Sequence, residues 1–150
     1  MNFYRLTPAF YMDYGNQFPE ILQKQTRPYY IVLLQVMGNT FAIPLRSHLP
    51  SHTFCFIANG CDSGLDFTKA VVITDTKRYI DQNTVTIRQN EFDVLKKNEY
   101  EITQRFESFL KKYKKQMQRV VKNPSIPLQP WCLFSPLQYF HRELGLDAKS

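Results

Sequence analysis

The segment Tyr29-Tyr30-Ile31-Val32-Leu33-Leu34-Gln35-Val36-Met37-Gly38-Asn39-Thr40-Phe41-Ala42-Ile43-Pro44-Leu45 decides how the rest of the chain is read. Two nearly continuous apolar runs, Tyr29 to Val36 and Thr40 to Leu45, flank Gly38-Asn39. Each run has the length of a buried strand. The glycine supplies the positive φ that a tight connection needs, so the segment predicts a β-hairpin. Working outward, Asn2 to Leu6, Phe54 to Ala58, Ala70 to Thr74 and the β-branched Thr84 to Ile87 predict further strands. Asn59 to Leu65 has the composition of a turn, and Pro8, Gly15, Pro19 and Pro28 break the N-terminal stretch into a short strand, a helical turn and a loop. The expected sheet is antiparallel or mixed, with about five or six strands.

From Asn90 the hydrophobic period changes. Apolar residues fall at 92, 95, 102, 106, 109, 110, 113, 117, 120 and 121, the 3–4 spacing of an amphipathic helix. The pattern predicts a short helix capped by Asn90, a break near Asn98, and a long helix ending near Val121. Pro124, Pro127 and Pro130 then impose an extended connection. Ser135-Pro136 forms an N-cap and first-turn pair and Gly145 a C-terminal stop, so Leu137 to Leu144 predicts a last short helix. The class is α+β, a sheet flanked by helices, with a long basic amphipathic helix late in the chain.

The 150 residues suit one domain, with a core large enough to stand alone. The net charge is +6 and 15% of the residues are aromatic, including 12 Phe and nine Tyr. Positive charge favours polyanions through counterion release, and flat rings either fill a core or stack on unpaired bases. Cys55, Cys61 and Cys132 are few and odd in number, and no apolar run is long enough to span a bilayer. With no secretory leader pattern, the expectation is a cytoplasmic chain with reduced thiols and no membrane partner.

Polar side chains gather after the hairpin, in Pro44-Leu45-Arg46-Ser47-His48-Leu49-Pro50-Ser51-His52. A rigid strand running into a polar loop is a common setting for a site. Two of the chain's three histidines lie here. Histidine titrates near neutrality and can take or give a proton, arginine grips two phosphate oxygens, and a serine hydroxyl donates a further bond. RNA cleavage by internal transesterification needs those parts and no metal. Arg46, Ser47, His48 and His52 are therefore candidate catalytic residues, and no cofactor is expected. Taken singly, each is more often a solvated loop residue; the clustering carries the reading. A rival reading is a zinc-binding regulator using His48, His52, Cys55 and Cys61, since tetrahedral zinc accepts two His and two Cys. It lacks a Cys-x-x-Cys knuckle, Pro50 opposes a helix carrying both histidines, and Cys55 between Phe54 and Phe56 reads as a core thiol.

The stretch Tyr29 to Ser47, ending Ile43-Pro44-Leu45-Arg46-Ser47, resembles the core of type III toxin–antitoxin endoribonucleases, the ToxN/AbiQ superfamily, and is most similar to its CptN and TenpN branches. Gly64-Leu65-Asp66-Phe67-Thr68-Lys69-Ala70 and the long basic helix also fit, so the likeness covers about residues 1 to 122. The resemblance implies a strongly twisted antiparallel sheet related to the Kid/MazF barrel. It also implies metal-independent cleavage of cellular RNA to 2′,3′-cyclic phosphate ends. The implied partner is an RNA antitoxin of tandem repeats, processed and held as a pseudoknot in a protein–RNA hetero-oligomer. In the ToxN branch a lysine precedes the first hairpin strand and Thr-Ser-x-Lys follows the second. Here those positions hold Arg27 and Arg46-Ser47-His48-Leu49. Only the serine matches outright, Arg27 keeps the charge, and His48 or His52 is left as the candidate base.

Further RNA-binding candidates are Lys111, Lys112, Lys114, Lys115 and Arg119, which with Lys122 crowd the late part of the long helix. A solvated face with cations near a helix C-terminus explains some of these but needs fewer. Lys69, before an apolar strand, and Tyr4, in the first strand, are weaker candidates, each with a plain packing or surface alternative. His141 reads as structural and Trp131, among prolines, as a packing anchor. A non-catalytic RNA-binding module would use the same basic and aromatic surface.

Overall fold

A computed structural model describes residues 1–15, 21, 29–50, 53–60 and 63–146. It is α+β. A sheet of 6 strands runs in the order β1-β2-β3-β5-β4, with β6 paired to β3. The strands are β1 (Phe3–Arg5), β2 (Tyr30–Val36), β3 (Asn39–Arg46), β4 (Cys55–Asn59), β5 (Ser63–Asp66) and β6 (Val71–Val72), and every pairing is antiparallel. The helical elements are α1 (Pro8–Phe10), α2 (Thr76–Tyr79), α3 (Gln89–Lys97), α4 (Glu99–Lys122) and α5 (Pro130–Leu133).

The hairpin forms as expected, but its turn sits one residue earlier. Val36 pairs with Asn39, so Met37 and Gly38 are the two central residues, at φ 51° and 82°. Positive φ at both positions is the mirror-image turn whose twist matches that of the flanking strands. Glycine accepts this readily; methionine does so at a cost, because its Cβ crowds the backbone. β3 is the hub. One of its edges pairs along β2, while the other is shared by β6 at Phe41 and Ala42 and by β5 at Leu45 and Arg46.

Several expectations change. Asn59 to Leu65 was expected as a turn, yet Ser63–Asp66 is the strand β5 between β3 and β4. Its polar composition misleads because Gly64 is there for close approach: a Cβ on it would lie 2.0 Å from the Phe56 carbonyl oxygen. Thr84 to Ile87 is not a strand. Val85 makes a single bridge to Phe3, and Ile80 another to Leu6, with a side-chain turn between them in which Asp81 accepts from the Asn83 amide. These bridges cover the outer edge of β1 and shield unpaired backbone groups. The expected Kid/MazF-like barrel does not close: β1 and β4 stand at opposite ends of the strand order among the described residues. The strand expected over Ala70 to Thr74 contracts to Val71–Val72.

The helical period is borne out. α3 and α4 meet at Asn98, and the buried positions of α4 are Ile102, Phe106, Phe109, Leu110, Tyr113 and Met117. This stripe lies on the sheet through ring contacts, with Phe106 centred 5.0 Å from Phe41 and 5.4 Å from Phe67. α3 starts at Gln89 after Arg88, so Asn90 lies inside the first turn and does not cap it. Ser135 caps as expected, accepting from the Leu137 amide, but the element it opens is a 3-10 turn over Pro136–Tyr139; Gly145 then adopts φ 72°. Phe10, Tyr14, Tyr79 and Phe140 form a second aromatic cluster. Asp13 braces it by accepting from Arg78 at 3.0 Å and from the Tyr79 hydroxyl at 2.7 Å.

Two substitutions test the strand geometry by urea unfolding at unchanged slope. Met37→Asn places a residue that tolerates the left-handed region in the turn and should raise stability by about 0.5–1 kcal/mol. Gly64→Ala drives a methyl into backbone and should lower stability by about 3 kcal/mol or prevent folding.

Candidate functional site

β3 ends at Arg46, opposite Gly64 of β5. The chain then bends, exposing Ser47 and His48 before Leu49 returns to the interior at 7% exposure. The bend is thus held at both ends, by an ion pair and by an apolar anchor. The ion pair joins Arg46 Nη1 to Asp66 Oδ2 at 2.8 Å, with the Asp66 side chain 5% exposed. The other carboxylate oxygen accepts from the Thr68 amide at 3.0 Å and the Thr68 hydroxyl at 2.6 Å. A buried carboxylate is tolerated because its lone pairs are filled in this way. Arg46 therefore acts first as the rivet between β3 and the turn after β5. Its guanidinium is only partly exposed and keeps donors beyond the one given to Asp66.

Lys69, three residues beyond Asp66, donates to the Phe134 carbonyl at 2.7 Å. It also lines a cavity of about 20 Å³ with Tyr11, Tyr29 and Pro44, so it does approach the base of the hairpin. The Tyr11 hydroxyl is the one buried side-chain polar atom without a hydrogen-bond partner among the described residues. Burial, and then neighbouring Tyr29, push its pKa up to about 12, so it stays protonated and a donor at neutral pH. Tyr4 is half-buried in β1 opposite Ile31 and packs against the core. Arg27 and His52 lie outside the described residues.

The basic helix is divided by its own geometry. At about 100° per residue, Lys112 and Arg119 share one flank of α4 with Arg105, seven residues before Lys112. Lys111 and Lys115 point outward, Lys111 pairing with Glu107 at 3.1 Å, and Lys114 falls on the other flank. The candidate cations therefore do not form a single face. Between the Arg105–Lys112 flank and residues Thr53 to Cys55 runs a groove of about 510 Å³. Its floor is aromatic: Phe54 centres 4.7 Å from Trp131 and 5.3 Å from Phe109. The Lys112 ammonium stands 5.6 Å above the Phe54 ring, and the Arg105 guanidinium 5.2 Å above Phe56. Phe54 itself has φ 58°, which a bulky side chain adopts only under constraint.

The structure turns Arg46 to Asp66, exposes Ser47 and His48 on the bend that follows, and carries Lys69 to the hairpin base. It gives Trp131 and His141 the packing roles expected; the His141 Nε2 lies 2.8 Å from the Tyr113 hydroxyl. Of the zinc-ligand candidates, Cys55 is buried beside Asp66, its thiol pKa raised first by burial, whereas His48 is exposed. His52 and Cys61 are outside the described residues, and no group of three metal-binding side chains occurs among those that are described. The residue pattern alone does not single out Asp66, Arg105 or Phe54. The Asp66-x-Thr68 spacing is a turn signal for the first. Nothing local marks Phe54, because its importance comes from rings more than 50 positions away.

Asp66→Asn keeps an acceptor for Thr68 but strips Arg46 of its counter-charge, and should cost about 2–4 kcal/mol in thermal or urea unfolding; an unchanged midpoint would show that the pair contributes nothing. Comparison with protein-family models, with curated proteins and with solved structures gives no match to this chain.

Proposed function

We propose that this chain is a metal-independent endoribonuclease acting at the Arg46-Ser47-His48 bend. The observation that carries the reading is an exposed serine and histidine following the buried Arg46–Asp66 pair, whose Asp66 lies opposite Cys55 on the wall of a cationic aromatic groove. Cys55 on the groove wall pairs with Asp66, and Arg46 is one strand further on. Two strand spacings of about 4.8 Å, with an offset of two residues of about 3.4 Å along the strand, amount to about 12 Å, comparable to three or four stacked nucleotides at about 3.4 Å each. One RNA strand can therefore engage both.

In the reaction, His48 or His52 takes the proton of a 2′-hydroxyl. The 2′-oxygen forms a bond to the adjacent phosphorus, the bond from phosphorus to the 5′-oxygen breaks, and that oxygen receives a proton from the other histidine or from water. The products are a 2′,3′-cyclic phosphate and a 5′-hydroxyl. Ser47, the remaining donors of Arg46, and Arg27 are assigned to the phosphate as its charge builds. Lys69 and Tyr4 lie further along the strand's path, with Lys111, Lys112, Lys115 and Arg119 tracking the backbone.

The likeness of residues 29–47 to the ToxN/AbiQ superfamily supports a toxin held in check by a repeat RNA antitoxin in a protein–RNA assembly. The strong Kid/MazF-like sheet twist belongs to this proposal as well. Tandem direct repeats ending in a terminator immediately upstream of the gene would support that partner, and their absence would remove it while leaving the nuclease reading. One observation favours a second reading, a non-catalytic RNA-binding module: Arg46 already commits part of its donor set to Asp66.

Incubation with RNA in EDTA separates the two. The nuclease should yield cyclic-phosphate ends, and Ser47→Ala and His48→Ala should each slow cleavage by about 10²–10⁴-fold. Binding without cleavage, equal in all variants, supports the module instead.

A further inference from the structure

We propose that the groove between Thr53–Cys55 and α4 seats one unstacked base of single-stranded RNA on Phe54, with Lys112 and Arg105 holding the flanking phosphates. The inference rests on the RNA-binding reading above and specifies which form of RNA is taken and where.

Three features combine at this place. The groove, at about 510 Å³, lies within the ordinary size of small-molecule sites, about 300–1,000 Å³. Its aromatic floor is rigid, since Phe54 packs on both Trp131 and Phe109, which also touch each other, and its backbone is held at φ 58°. A ring fixed in that way loses little freedom when a base stacks on it. Both cations are exposed lining residues, seven positions or about 10.5 Å apart along α4.

The current occupant of the Phe54 face is the Lys112 ammonium, 5.6 Å from the ring centre. An exposed cation–π contact is weak, and base stacking on an aromatic ring is stronger. A base arriving at Phe54 therefore displaces the ammonium, whose flexible stem lets it move to the neighbouring phosphate. Arg105 is shared with Glu101 at 2.6 Å, an exposed pair on the same helix. Phosphate competes readily for a guanidinium in that setting, because solvent-exposed ion pairs are weak. Gln104 and Ser108, on the same wall, offer donors and acceptors to the edge of the base. Duplex RNA has its bases stacked internally and presents none to Phe54, so the groove selects single strands.

Trp131 is the single tryptophan of the chain and packs on Phe54, so its fluorescence reports on the surroundings of that ring. The test titrates the full-length protein with 2′-O-methyl hexa-adenylate, which has no 2′-hydroxyl to react, and with a blunt 2′-O-methyl duplex of the same length. Saturable quenching by the single strand, at least tenfold tighter than by the duplex, is expected. Phe54→Leu should weaken it about tenfold, and Lys112→Gln about threefold with a salt slope shallower by about one. Lys112→Gln lies on the surface and keeps the test valid if Phe54→Leu fails to fold. Binding seen by anisotropy without tryptophan quenching, or insensitive to Lys112→Gln, overturns the groove while leaving the nuclease reading. Equal quenching by a poly-glutamate peptide overturns the base-stacking claim, because charge alone would then suffice. No binding of any RNA, together with no cleavage, overturns both.

Discussion

The Asp66 carboxylate is the junction on which this architecture turns. It is buried where β5 gives way to a 3-10 turn, and it answers at once to Arg46 at the end of β3 and to Thr68 at the start of that turn. A charge in such a place is costly unless every lone pair is met, so the elements that meet it are held in fixed relation. β3 cannot slide against β5 without breaking the pair. The turn cannot rotate without losing its cap. The bend bearing Ser47 and His48 inherits this precision from one side chain it does not itself contain.

The close approach of β4 and β5 supports that junction. Gly64 lets the Phe56 carbonyl pass where a side chain would stand, and so brings Cys55 of the groove wall beside Asp66. Ser63, at the start of the same strand, donates to the buried Glu91 carboxylate and thereby ties β5 to α3. One four-residue strand thus connects the hub strand, the groove and the helical layer.

Much of this was legible in the residues, and the boundary of legibility is physical. The hairpin and α4 announced themselves because their apolar periods are long and regular, and α3 and α4 divide at Asn98 where the period stumbles. β5 did not, because Ser63 and Gly64 serve neighbours and not a hydrophobic face, and composition cannot tell a close approach from a turn. At the candidate site, the run Arg46-Ser47-His48 was visible as chemistry, but Arg46's partner was not. Asp66 is 20 positions away, and only strand register brings it into reach. The helix cations were legible as a group and illegible as faces until the buried stripe of α4 set the angular origin.

The segment from Pro130 to Leu146 has another bearing on how the molecule is made. Its Phe134 carbonyl receives Lys69, its Glu143 carbonyl receives the Asn39 side chain, Phe140 packs on Tyr14, and Trp131 packs on Phe54. These are contacts to elements that leave the ribosome far earlier, with separations of up to 126 positions. A nascent chain lacking this segment already carries the hairpin and α4, yet has no Trp131 behind Phe54. Support for the groove floor is therefore completed late in translation, because the ring that packs on Phe54 is delivered only after every residue lining the groove has been synthesised.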